Sequence, residues 1–229
     1  MSKELDGALA LKQPATPRQR GENTRQRLLD EAERQFAETG FRGTSLNAIA
    51  IACGVGNAGV LHHFASKEKL YKAVLQRLGD DLEADMEAIA ARAGAPHERL
   101  RLALRHQAAG VAANPRRNRL ILRELMDNLG RVEHAKSFPL RRWVAAFCAL
   151  IEEAQAAGAA APGSPIVLLA QYLGALSYAL VVRPTFARMG MDQTLLNDEQ
   201  RWLATAAAAA ERALLGDESA EETAPGRRP

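Results

Sequence analysis

Helical spacing begins at Thr24. Leu28 and Leu29, Ala32 and Phe36 recur three or four positions apart, and Arg25, Arg27, Glu31 and Arg34 fill the rest of the wheel. Gly40 follows where a C-terminal glycine stops a helix. Thr44 or Ser45 then offers an N-cap for a short helix through Leu46, Ile49, Ala50 and Cys53, which Gly54 ends. A further short helix runs from about Asn57 to His62, and Phe64 closes the unit. From a cap at Ser66, Leu70, Val74, Leu75, Leu78, Leu82, Met86 and Ile89 keep one apolar stripe for roughly six turns, until Gly94 and Pro96 break it. Helices are predicted over 97–113, 116–128, 138–157, 165–188 and 197–215. Asn114-Pro115, Gly130, the stretch from Gly158 to Pro165, and Gly190 separate them. No alternating pattern competes and no fixed repeat is visible. The prediction is an all-α protein of about nine helices, in which one long helix connects two bodies.

Composition supports the helical reading. Apolar residues make up 47% of the 229 residues and aromatics only 5%, with Ala and Leu in place of β-branched and aromatic types. Two cysteines, Cys53 and Cys148, exclude a disulfide-built scaffold and lack the clustered spacing of a zinc site. Charge is uneven: residues 1–79 hold twelve Lys/Arg against eight Asp/Glu, a net of +4, while the rest of the chain sums to −1. A basic N-terminal third points to an anionic partner for that part alone. Residues 1–20 read as a disordered basic arm without the apolar core of a signal peptide, and residues 216–229 as a disordered polar tail. The apolar run from Ile166 to Val182 falls just short of the ~18 residues of a membrane span, so it is expected to be a buried helix in a cytoplasmic protein with no membrane partner.

Residues 46–64 carry the pattern that bears on function. Two short helices meet at a turn containing Gly54, small Ala50 sits where they must cross closely, and Ile49, Cys53, Val55 and Val60 fill the positions between them. A helix-turn-helix needs a left-handed turn residue, a small crossing residue and apolar contacts that fix its angle. Its second helix can then enter a DNA major groove. An ordinary αα-hairpin satisfies the same spacing.

The flanking segments favour the first reading. Thr24-Arg25-Gln26-Arg27-Leu28-Leu29, Phe36-Ala37-Glu38-Thr39-Gly40-Phe41, Thr44-Ser45-Leu46-Asn47-Ala48-Ile49-Ala50, Cys53-Gly54-Val55 and His62-His63-Phe64-Ala65-Ser66-Lys67-Glu68-Lys69-Leu70 together resemble the TetR family of transcriptional regulators over about residues 22–75. The resemblance implies a helix-turn-helix DNA-binding domain over 21–66. A connecting helix and a ligand-binding and dimerising body would span 67–215. It places phosphate contacts at Thr44, His62 and Lys67, with Arg25 and Arg27 adding to them and Ser45 and His63 completing the set. Base reading falls on Asn57, with Gly56, Ala58 and Gly59 able to approach closely; asparagine can pair with adenine in the major groove. The chain departs from the family pattern at Gly56, where Ser or Thr is common, at Leu61, usually Tyr, and at His62, often aromatic. Gly56 and Gly59 each remove about 1 kcal/mol from a helix interior relative to Ala.

The resemblance also implies an operator in double-stranded DNA, a homodimer through the last two helices, and a small-molecule effector. The helix containing Leu168, Tyr172, Ala175, Leu176, Ala179 and Leu180 is apolar on much of its circumference, and Trp202 to Leu215 presents a small-residue face, which suits a dimer. Candidate pocket residues are His106, Glu124, Trp143, Phe147, Tyr172 and Tyr178, for a mostly apolar ligand. No metal or cofactor is expected: His62 and His63 are adjacent and do not share a helical face. His106, Glu124 and His134 come with no nucleophile motif, so the chain is not expected to be an enzyme. The alternative is a small-molecule binding protein with weakened DNA recognition.

Overall fold

The computed structural model describes residues 16–216. Helix α1 spans Pro17–Gly43, α2 Leu46–Ala52, α3 Asn57–His63, α4 Lys67–Ala90, α5 Pro96–Ala113 and α6 Pro115–Asp127. A 3-10 segment, Leu129–Ser137, leads to α7 Arg141–Ala156, α8 Pro165–Arg188, α9 Gln193–Leu196 and α10 Glu199–Leu215. No strand occurs among the described residues, and all nine predicted helices are present. Additions are the single turn of α9 and the 3-10 segment, both too short or irregular to show a 3.6-residue stripe.

Helix α1 starts earlier than the sequence suggested. Thr16 is its N-cap: the Thr16 hydroxyl accepts from the Gln19 N–H at 3.3 Å, and the Gln19 side chain accepts from the Thr16 N–H at 2.8 Å. With Pro17 in the first turn, this capping box makes 17–20 helical rather than part of a disordered arm. The rest of that arm and the tail from residue 217 lie outside the described residues. At its other end, Gly40 adopts φ +75° and bends the chain, leaving one more turn before α2. Ser45, not Thr44, caps α2 by accepting from the Ala48 N–H at 3.1 Å, and Ser66 caps α4.

Two apolar cores form, and their division lies inside α4. The first joins Leu28, Phe36, Ile49, Cys53, Val60 and Phe64 of the N-terminal head to Leu70, Val74 and Leu75 of α4 and Leu120 of α6. The second, in the body, begins with Leu78 and gathers Leu100, Leu104, Trp143, Phe147, Ile151, Leu169, Tyr172 and Leu176. The apolar core of the head thus reaches past residue 66, taking in the front of α4 and one leucine of α6.

Polar contacts repeat that arrangement. Glu33 on α1 is buried and accepts from Arg77 of α4 at 2.8 Å and from Arg117 of α6 at 3.3 Å. Arg77 also reaches Asp30 at 2.6 Å, and Arg117 reaches Asp81 at 2.9 Å. Six residues further along α6, Arg123 donates to the carbonyls of Ala37 and Glu38 at 3.1 and 3.0 Å, supplying acceptors at the end of α1 with donors. Farther along α4, Gly79 lets the chain before α7 cross it; a Cβ there would lie 2.6 Å from the Pro139 carbonyl oxygen.

Helix α8 is 24 residues long, so it exceeds the predicted apolar run and reaches the length and hydropathy of a membrane span, alone among the described helices. It packs on α10, α7 and α6 through Leu169, Tyr172, Leu176 and Ala179. Ile166, Val167, Tyr178 and Val181 are exposed on its outer side.

Candidate nucleic-acid interface

Gly54 makes the turn between α2 and α3 with φ +65°, a conformation that other residues adopt only under strain. The Val55 N–H donates to the Ala50 carbonyl at 3.0 Å and closes that turn. Inward-facing Val60 and Phe64 fix α3 to the head core, which leaves Asn57, Ala58, Leu61 and His62 exposed, with Gly59 and His63 half-buried.

Helix α1 braces this unit from behind. The Arg27 guanidinium donates to the Cys53 carbonyl at 2.5 Å, at the end of α2, and the Cys53 thiol donates back to the Arg27 carbonyl at 3.4 Å. Burial pushes that thiol's pKa up, so Cys53 is apolar filler with one weak donor. Arg25 lies over the Phe64 ring, 5.2 Å from its centroid. Lys67, in the first turn of α4, donates to the Thr44 carbonyl at 2.9 Å and stands 4.4 Å above the Phe41 ring. Phe41 in turn meets Phe36 and Tyr71, with centroids 6.1 and 5.1 Å away. Arg25, Arg27 and Lys67 therefore brace the head's own backbone and rings while adding positive charge beside α3.

Thr44 does not fit the phosphate role expected of it. It is only 3% exposed, and its hydroxyl donates to the Gly40 carbonyl at 2.9 Å and lies 2.9 Å from the Thr39 hydroxyl. It closes the bend after Gly40. Ser45 remains exposed, but its hydroxyl is the α2 cap. The glycine reading also changes. Gly56 is the N-cap of α3, at φ −81°, where glycine costs only a few tenths of a kcal/mol. Gly59 is interior, yet an added Cβ would meet only Val55, at an ordinary 3.5 Å. Neither packing nor backbone conformation requires a glycine at 56 or 59.

The six candidate effector contacts do not converge. Trp143, Phe147 and Tyr172 are 4%, 0% and 2% exposed and pack as body core; the two rings of Trp143 and Phe147 meet edge to face at 5.7 Å. The Tyr172 hydroxyl donates to the Leu104 carbonyl at 2.6 Å, and burial holds its pKa well above the usual phenol range. His106 is exposed and sits 2.9 Å from Asp85, while Tyr178 lies on the outer side of α8. Aromatic chemistry pointed at these residues, but the same rings serve equally as core. Of the six, Glu124 lines two clefts at the junction of head and body. Two adjoining clefts of about 700 and 560 Å³ share Tyr71, Lys72, Glu124 and Asn128, where the front of α4 meets the end of α6. Buried Glu124 accepts from the Tyr71 hydroxyl at 2.7 Å and from the Asn128 amide at 2.8 Å. Burial, then the hydrogen bond to Glu124, raises the Tyr71 pKa beyond the usual phenol range. No group of three or more metal-ligating side chains gathers among the described residues.

Comparison with known proteins places this geometry. A sequence model described as bacterial regulatory proteins, tetR family, matches residues 28–74, the segment from α1 into the front of α4. A transcriptional repressor of Corynebacterium efficiens, AcnR, is 40% identical over 52 residues, 23% of this chain and 28% of its own length. The repressor KstR2 of Rhodococcus jostii is 43% identical over 58 residues, 25% of this chain and 28% of its own. The chain thus spans about a quarter of the length of these curated relatives, and the likeness is that of the head. Over the whole fold, the structure of the fatty acid degradation regulator FadR from Bacillus halodurans matches with a TM-score of 0.64, covering 87% of this chain and 97% of that one. At 14% identity this is a likeness of fold alone.

Proposed function

We propose that this chain, whose residues 28–74 match the model of the tetR family of bacterial regulatory proteins, is a DNA-binding transcriptional regulator of that family. It acts as a repressor, and a small, mostly apolar molecule releases it from a pseudo-palindromic operator. One observation carries the reading. Within the matched segment, α3 is seated on the head core with Asn57, Ala58 and His62 turned outward, and Arg27 and Lys67 hold the backbone on either side. Asn57 pairs with a base edge, and His62, Lys67, Arg25 and Arg27 stand where phosphates pass. None of the named relatives is an enzyme. A DNA target also places the chain in the cytoplasm.

The exposed apolar side of α8, with the small-residue side of α10 beside it, supports a homodimer. In such a dimer the two copies of α3 would have to match the spacing of successive major grooves, about 34 Å. The effector acts where body meets head. Arg117, Leu120, Arg123 and Glu124 line one side of α6 and all touch the head or the front of α4. A ligand that favours one setting of α6 biases the spacing of the two heads.

The test is selection of genomic fragments by the purified full chain, with affinity measured at several salt concentrations and mass by light scattering. A dimer, a preferred sequence and an affinity falling steeply with salt are expected. A chain that retains small molecules but selects no sequence would instead be the binding protein with weakened DNA recognition.

A further inference from the structure

We infer that Leu61 is a base-reading residue that contacts the C5-methyl of a thymine in the major groove. The inference rests on the DNA-binding reading above and goes beyond the contacts it assigns to Asn57 and the phosphates. Leu61 follows Val60, which is fully buried, and shares its side of α3 with Asn57 and Ala58, four and three positions earlier. It is 48% exposed, one of only two large apolar side chains exposed in the described part of the head; the other, Ile51, is on α2. A lone exposed leucine is ordinary on a protein surface. This one stands on the outward side of the helix that reads base edges, where the thymine methyl is the apolar group that a base pair presents.

The bare surface around it supports the same conclusion. Gly56, Ala58 and Gly59 carry nothing longer than a methyl, so Leu61 is the one long apolar side chain on that side of α3. A Cβ at Gly56 would meet nothing within 4 Å, and one at Gly59 only Val55 at 3.5 Å. Because the fold does not ask for these glycines, their lack of side chains fits an external need, the close approach of a nucleic-acid surface. A side-chain-poor helix sits deep in the groove, and depth brings a branched side chain such as Leu61 onto the methyl.

The experiment uses the full chain and the sequence that it selects, with each thymine of one half-site replaced in turn by uracil, which removes only the methyl. At one position the wild-type Kd should rise about 3- to 4-fold, the worth of one buried methyl. In Leu61→Ala, that same replacement should change Kd by less than about 1.5-fold, while specific binding persists. Because Leu61 is exposed, the variant should unfold at the wild-type temperature, which thermal melting checks. Uracil without effect at every thymine, a selected half-site lacking thymine, or equal uracil sensitivity in Leu61→Ala each overturns the inference and leaves the regulator reading intact. Failure to select any sequence overturns both.

Discussion

In the head, Phe36, Val74 and Leu120 come together from three helices far apart in the chain, and the same helices are pinned by directional groups: Arg77 and Arg117 on Glu33, Arg123 on the end of α1. In the body, Leu104, Phe147, Ile151, Leu169 and Leu176 interdigitate around the Tyr172 hydroxyl on Leu104 and the Trp202 indole on Ala179, while ion pairs such as Arg99–Glu153, Arg105–Glu211 and Arg142–Glu83 tie its helices from outside. The head's ion pairs from α4 and α6 converge on one buried carboxylate, Glu33, whereas each of those body pairs has an exposed partner. Helix α6 belongs to both regimes, since Leu120 lies in the head core while the helix packs on α8 and α5 of the body. Helix α6 is thus a shared member, tied to the head through Leu120, Arg117 and Arg123 and to the body through α5 and α8.

The strongest way to break this comparison is Leu120→Ala. It should lower unfolding free energy by about 2–5 kcal/mol, and hydrogen exchange should speed up in α1–α3 more than in α7 and α8. Protection lost equally in both regions would mean that Leu120 is simply core. Next comes Glu33→Gln, which leaves Arg77 and Arg117 with a neutral partner; a loss of about 1–3 kcal/mol is expected in urea unfolding. Its effect on DNA affinity should exceed that of an equally destabilising body truncation such as Leu104→Ala.

Much of this contrast was legible in the sequence, and part was not. The stripes through Leu28–Phe36 and Leu70–Ile89 specified their helices because each ran for many turns with clear caps and stops. Thr16 was missed as a cap because Arg18, Gln19 and Arg20 show no apolar period to announce a helix. Thr44 and Ser45 are equally good caps by residue type; only the bend at Gly40 turns the first inward. The joint work of Glu33 and Arg117 was hidden because 84 positions separate them. Aromatic residues in a helical body have no sequence mark that distinguishes core from pocket, so Trp143, Phe147 and Tyr172 were drawn to a ligand, whereas Tyr71 in the cleft wall went unremarked.

A smaller effect tests the junction cleft. Tyr71→Phe removes a donor from buried Glu124 and should cost about 1–2 kcal/mol. Tyr71 and Tyr172 both have pKa values raised above the usual phenol range of about 10. The stability held by these neutral phenols is therefore complete below pH ~10 and lost as pH climbs through their folded values. Alkaline titration by absorbance should show two tyrosines withheld until the chain unfolds, and Tyr71→Phe should withhold one. Smallest of all, Gly59→Ala should raise stability by about 0.5–1 kcal/mol while weakening DNA binding. Gains in both would show that the bare surface of α3 is not read.

Gly79 stands near the midpoint of the 24 residues of α4, and the Pro139 carbonyl occupies the space that a methyl would take. A helix of that length runs about 36 Å, so the contact divides it into two arms of similar reach. One arm ends at Lys67 beneath the α2–α3 unit, the other at Ala90 beside the body. Were α4 to pivot as a rigid rod at that contact, a tilt of one end would become an opposite displacement of similar size at the other. Neither arm is the longer, so such a movement would arrive reversed in direction but undiminished.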